Sequence, residues 1–132
     1  MTRTAGKAEN VPPPAGPYSP SVRIVGGSIV AAAGQCGFLP DRTLADGLEE
    51  QTRVTLQNLK SALAASGASM DDVLSVEVYL TDVDDFAAMN AVYAEHFSEP
   101  YPARTTVYVG LRGGALVEIN ALAVIAGDVK PT

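Results

Sequence analysis

The apolar positions of this chain recur with two periods. Leu48, Thr52, Leu56, Leu59 and Leu63 follow one another at three- and four-residue intervals, which is one stripe along a helix. Asp46 followed by Glu49 reads as a capping box at its start, and Gly67 stands where a left-handed C-cap belongs. Between Val73 and Leu80 the period falls to two. Leu74, Val76, Val78 and Leu80 share one face, while Ser75, Glu77 and Tyr79 share the other, the mark of a half-buried strand. Asp82 with Asp85 opens a second helix, whose inward stripe is Phe86, Met89, Tyr93 and Phe97 and which ends by Pro100. Two further strands, Thr105 to Val109 and Leu116 to Ile125, flank the turn Gly110-Leu111-Arg112-Gly113-Gly114.

Ahead of the first helix, Val22 to Val25 and Ser28 to Ala33 flank Gly26-Gly27, a two-residue hairpin signal. The expected order is β-β-α-β-α-β-β, an α+β domain with two helices on one face of a mixed sheet. Leu116 to Ile125 is apolar at nearly every position. Its second face is therefore expected to meet another subunit, because a large exposed apolar patch is rare on a monomer. Residues 1–15, polar and then Pro12-Pro13-Pro14, read as a mobile arm; 16–127 read as one domain and 128–132 as a loose tail. Gly16-Pro17-Tyr18-Ser19-Pro20 is a stiff extended piece that presents Tyr18 between two fixed points.

Composition narrows the function classes. At 132 residues, 47% of them hydrophobic and 18% charged, the chain is a globular domain. A net charge of -6, with nine Lys and Arg scattered and never in a run, makes nucleic acid a poor partner. The single cysteine, Cys36, permits no intrachain disulfide and reads as a reduced thiol; no Cys-His arrangement accompanies it beyond His96. The polar, proline-bearing start is not a secretory signal, and no apolar run approaches the ~20 residues of a membrane span. The expectation is a cytoplasmic protein.

Two residues are costly to place. Arg104 sits at the head of a strand, and Glu118 lies inside an otherwise apolar run. Charge that is expensive to bury is either paired or functional. The two could form an ion pair across a subunit interface, or each could serve a small-molecule site. By strand parity Arg104 shares a face with Thr106 and Tyr108, and Glu118 with Leu116, Asn120 and Leu122; whether the two faces meet is open at this level. Tyr18 divides between packing and a site, Asn90 reads as an ordinary polar contact or a site residue, and His96, near a helix C-terminus, suits the dipole better than a metal.

These residues also form an ordered series of short motifs. They are Gly16-Pro17-Tyr18-Ser19, Gly34-Gln35, Glu50-Gln51-Thr52-Arg53 with Asn58-Leu59-Lys60, and Tyr79-Leu80-Thr81-Asp82. Asp85-Phe86-Ala87 with Asn90 and Tyr93 follows, then Pro102-Ala103-Arg104-Thr105-Thr106-Val107 and Ala115-Leu116-Val117-Glu118-Ile119. From Gly16 to Ala126 the series resembles the RidA (YjgF/YER057c) family of reactive-intermediate imine deaminases. The resemblance implies a chorismate-mutase-like fold, a homotrimer with clefts between subunits, and hydrolysis of 2-imino acids of the 2-aminoacrylate and 2-iminobutanoate type to 2-keto acids and ammonia. It implies no metal and no organic cofactor. It places Arg104 as the carboxylate clamp, Glu118 as the acid–base residue, and Tyr18, Gly34, Asn90 and the Thr106 backbone along the cleft.

The chain departs from the family pattern in four places. Ala33 stands where a serine is common, Thr106 where several members carry cysteine, and Asn120 where a second glutamate is usual; Gly110 to Gly114 replaces an Ala-Arg-Leu-Pro turn. The implied chemistry suits the residue types. A guanidinium grips a carboxylate through two parallel N–H···O bonds, and a carboxylate can take a proton from water and return it to nitrogen. The rival readings are a carboxylate-binding or chaperone-like trimer of the same fold and, against the acidic charge, a ribonuclease or translation inhibitor.

Overall fold

The computed structural model describes residues 3–125; the tail expected from 128 lies outside them. Its main sheet has four strands in the order β3-β6-β4-β5, where β3 is Ser28–Cys36, β4 Val73–Leu80, β5 Ala103–Tyr108 and β6 Val117–Ile125. β6 runs antiparallel to both β3 and β4, and β5 runs parallel to β4, so the sheet is mixed as expected. Helices α1 (Gly47–Ala64) and α2 (Phe86–Ala94) supply the layer against it. Leu56, Leu59 and Leu63 of α1 and Met89, Val92 and Tyr93 of α2 close on Val76, Val78 and Leu80 of β4 and on Val117, Ile119, Ala121 and Ala123 of β6.

Four local expectations are corrected. Gly26 and Gly27 do adopt the left-handed backbone of a turn, with φ of 71° and 112°, yet they make no hairpin. Val22–Arg23 (β2) pairs instead with Thr4–Ala5 (β1), and β3 finds its ladder on β6. The arm expected over 1–15 is thus held at Thr4–Ala5, and by Arg3, whose guanidinium donates to the Asp71 carbonyl. Asp46 is the N-cap of α1 but makes no side-chain cap bond, because Gly47 enters the helix at φ 81° and turns the backbone away. In β4 the register shifts between Val73 and Ser75, so Val73 takes the buried place expected of Leu74.

Among the described residues no helix covers the second sheet face. Ile29, Val107 and Leu122 are exposed on it, at 75%, 38% and 46%, around a shallow hollow of ≈ 270 Å³. At its centre Tyr79 donates to Glu77 Oε2 (3.1 Å), and Asn120 Nδ2 donates to Glu77 Oε1 (3.4 Å). Glu77 and Asn120 are register partners, which gives a physical account of the missing second glutamate. A carboxylate at 120 would face Glu77 as a like charge across the strands.

Candidate functional site: an unpaired guanidinium and a remote carboxylate

Arg104 is the second residue of β5, and its side chain points to the helical face beside Val76. Three aromatic rings enclose its guanidinium. The Tyr93 centroid lies 4.9 Å away, that of Tyr18 5.0 Å and that of Phe86 5.7 Å, distances at which ring quadrupoles attract a cation. All three guanidinium nitrogens are buried and none makes a well-formed hydrogen bond among the described residues, although the Tyr93 hydroxyl stands close enough to help hold the charge. Among the described residues the one ion pair, Arg53 with Glu50, lies elsewhere. Burial lowers the Arg104 pKa, with Tyr93, Tyr18 and Tyr108 opposing the shift; an arginine nevertheless keeps its proton. The protein therefore holds a desolvated charge that it does not neutralise.

The elements explain how this cluster forms. Phe86, Asn90 and Tyr93 are spaced i, i+4, i+7 on α2, so all three reach the sheet from one helix face. Tyr18 arrives on the Gly16–Ser19 piece, which is not extended as expected. The Tyr18 N–H donates to the Gly16 carbonyl at 2.8 Å in a tight turn over Pro17, and the piece is fastened along the head of β5 by Ser19. Its N–H donates to the Pro102 carbonyl at 3.1 Å, and its hydroxyl donates to the Tyr101 carbonyl. Gly16 permits the close approach. A Cβ there would lie 3.2 Å from Arg104 Nη2 and 3.1–3.2 Å from both terminal atoms of Asn90. Thr106, two residues along β5, brings a hydroxyl whose oxygen is also buried without a partner, as are Asn90 Oδ1 and the Tyr93 hydroxyl. Burial raises the Tyr93 pKa, against the pull of Arg104, so the phenol stays protonated.

Glu118 stands apart from this cluster. It pairs in register with Tyr79, whereas Arg104 pairs with Val76 of the same strand, three residues away. An odd offset along a strand puts the two side chains on opposite faces, and β4 separates β5 from β6. Within one chain Arg104 and Glu118 do not meet. The carboxylate lies over Gly34, where a Cβ would come within 2.5 Å of Oε2. Cys36 donates its S–H to Oε1 at 3.4 Å. Burial, then the hydrogen bond and charge of Glu118, push the thiol up to about 12, so Cys36 is held as the inert thiol its isolation suggested. Glu118 and Cys36 border a cavity of ≈ 360 Å³ with Phe38, Leu111, Arg112 and the glycines at 110 and 113. Asn58 anchors the wall by donating to the Cys36 and Phe38 carbonyls at 3.0 and 2.9 Å.

The residues singled out in the sequence thus fall into two groups. Tyr18, Asn90, Arg104 and Thr106 converge on the helical side, and Gly34 and Glu118 on the open side. Phe86, Tyr93 and Gly16 belong to the first group and were not singled out for it, since the aromatics read as core stripe. The signal was present, because they share a helix face with Asn90. His96 places Nδ1 2.9 Å from the Val92 carbonyl one turn back, and no cluster of metal-ligating side chains occurs among the described residues.

Comparison with known proteins identifies the class. The family model described as Endoribonuclease L-PSP matches residues 8–125, and the chain belongs to this family, the RidA (YjgF/YER057c) family. The chain is 37% identical over 117 residues to the 2-iminobutanoate/2-iminopropanoate deaminase of Dermatophagoides farinae, covering 86% of this chain and 90% of that one. The crystal structure of RidA from the Antarctic bacterium Psychrobacter superposes with a TM-score of 0.72 at 38% identity, over 90% of this chain and 97% of the other. That of Escherichia coli TdcF with bound serine does so with 0.70 at 32%, over 93% and 99%. The arrangement of two helices on a mixed sheet is the RidA arrangement.

Proposed function

We propose that the protein is a hydrolytic deaminase of 2-imino acids, the activity named for its Dermatophagoides farinae relative. The observation that carries the reading is the Arg104 guanidinium, enclosed by aromatic rings, shielded from water and unpaired. An unpaired buried charge costs several kcal/mol, which an incoming carboxylate offsets by taking the two-pronged N–H···O contact. TdcF was crystallised with such a small carboxylate, serine.

The reaction adds water across a C=N bond. Glu118 takes a proton from water as the oxygen bonds to C2 and hands it to the imine nitrogen as the C=N π bond opens, giving a neutral carbinolamine. The regenerated carboxylate then takes the hydroxyl proton and passes it to that nitrogen as the C–N bond breaks, leaving a 2-keto acid and ammonia. Help of this kind is worth roughly 10²–10⁴-fold, enough for an imine that also hydrolyses unaided. Gly34 leaves Glu118 Oε2 room to face the cavity, and Cys36 steadies Oε1.

Arg104 and Glu118 occupy opposite faces of one sheet, so a cleft that uses both is built from two chains. The bare sheet face with Ile29, Val107 and Leu122 supports assembly as a homotrimer with its sheets turned inward and three clefts between neighbours. A cytoplasmic setting, expected from the single reduced cysteine, belongs to the same proposal.

The test is competition. An amino-acid oxidase generates 2-iminobutanoate in situ, semicarbazide traps it, and the protein is added. We expect trap adduct to fall with added protein, and Arg104→Ala to abolish the effect, a loss of at least about 10²-fold, while circular dichroism stays unchanged. If Arg104→Ala competes as well as the parent, the clamp is misassigned. If the parent does not compete, the carboxylate-binding reading takes its place.

A further inference from the structure

The stripe of α1 that fills the core is apolar, yet the helix buries amide side chains beside it. Gln51 is 3% exposed, and Asn58, two turns on and on the same helix face, is half-buried. Burying an amide is costly unless its hydrogen bonds are made. Both side chains bond to backbone, and to the two segments that frame Glu118. Gln51 Oε1 accepts from the Leu116 N–H at 2.9 Å, two residues ahead of Glu118. Asn58 Nδ2 donates its two hydrogens to the Cys36 and Phe38 carbonyls, at 3.0 and 2.9 Å. Gly37, between those carbonyls, lies flat against the helix: a Cβ there would come within 2.7 Å of Gln51 Cα.

Strand register gives these bonds a purpose. Ala32 pairs with Ala121 but Gln35 pairs with Ile119, so β3 carries one extra residue in a bulge at 33–34. The bulge sets Cys36 opposite Glu118; in the unshifted register Gln35 would stand there. In the shifted register Gly34 lies under Oε2 and the Cys36 thiol reaches Oε1. Among the described residues Cys36 with Glu118 closes this ladder, and Asn58 takes hold of the chain where it ends. We propose that Asn58 is a positioning residue for Glu118: its amide locks β3 in the shifted register, while Gln51 fixes the start of β6. The inference rests on Glu118 as the acid–base residue and names what aims it. Proton transfer between water, carboxylate and nitrogen needs hydrogen-bond geometry, and a misplacement of about 1 Å can cost up to about 10²-fold. The grip on the substrate carboxylate belongs to Arg104 on the other sheet face, so loosening this register spares binding.

Asn58→Ala tests this in the full chain, with Asn58→Ser in its place if alanine does not fold. Leu63→Val, buried in the core on the same helix, is the control for a merely structural loss. With 2-iminobutanoate generated in situ, kcat in Asn58→Ala should fall about tenfold while KM stays within about threefold. Iodoacetamide labelling of Cys36 at pH 8 reads the same geometry without catalysis. The thiol, no longer held on Oε1, should label about threefold faster or more. Leu63→Val should keep the parent's kcat and labelling rate. An unchanged kcat, an unchanged labelling rate, or equal changes in Leu63→Val overturns the inference. A parent without activity sinks the deaminase reading alone; labelling then decides, and a rate in Asn58→Ala equal to the parent's overturns the lock.

Discussion

At the scale of residues, the molecule treats its two costly charges in opposite ways. Arg104 is surrounded by rings and left without an acceptor, while Glu118 is given a donor on one oxygen and bare glycine backbone beneath the other. That donor, Cys36, offers a probe of the carboxylate. Its pKa, pushed up to about 12, keeps the thiolate scarce near neutral pH, so iodoacetamide should label the protein slowly, at a rate still rising as the pH passes 9. Glu118→Gln removes the charge that helps raise the thiol, so labelling should quicken at any given pH; an unchanged rate would mean that the contact is absent in solution. The sign for stability follows. A native pKa above the unfolded one favours the fold fully below the unfolded value, and that contribution fades as the pH rises from a thiol's ordinary 9.0 through about 12.

At the scale of elements, pattern and structure agree wherever burial set the pattern. The stripes of α1 and α2 and the alternation of Val76, Val78 and Leu80 lie where the periods put them. Agreement lapses where a local signal lacks a buried face to enforce it. The two glycines at 26 and 27 turn the chain but do not choose the partner of Val22–Arg23, and Asp46 caps by position without bonding. Asp46→Ala should accordingly cost less than about 0.5 kcal/mol in urea unfolding, where a working cap costs about 1. A loss of the full amount would show that the carboxylate reaches an N–H of the first turn in solution.

At the scale of the whole molecule, the opposed placement of Arg104 and Glu118 makes a prediction that no single-chain site shares. Arg104→Ala and Glu118→Gln, each inactive alone, should regain activity when unfolded together and refolded as mixed trimers. With random assembly each cleft draws its arginine and its glutamate from two chains, so roughly a quarter of the clefts are intact. Multi-angle light scattering should show a trimer in the parent and a smaller species in Leu122→Lys, which puts a charge on the bare sheet face. Mixtures that stay inactive although trimeric would place both residues in one chain's site and contradict the strand register.

Periodicity and costly charge are local properties of a chain. The layers, the order of the elements from α1 onward and the residue types that chemistry demands could therefore be read from the sequence, while the short β1 in the expected arm could not. Arg104 and Glu118 were legible for the same reason, whereas Gly16 and Asn90 stood out only through the resemblance of their motifs to the family's ordered series. Which of them share a space depended on the folded arrangement. Sheet order and register are set by pairing between distant segments: the odd offset between Val76 and Tyr79 on β4 sends Arg104 and Glu118 to opposite faces. Only packing turned Phe86 and Tyr93, a core stripe by period, into the walls that hold a guanidinium without a counter-charge.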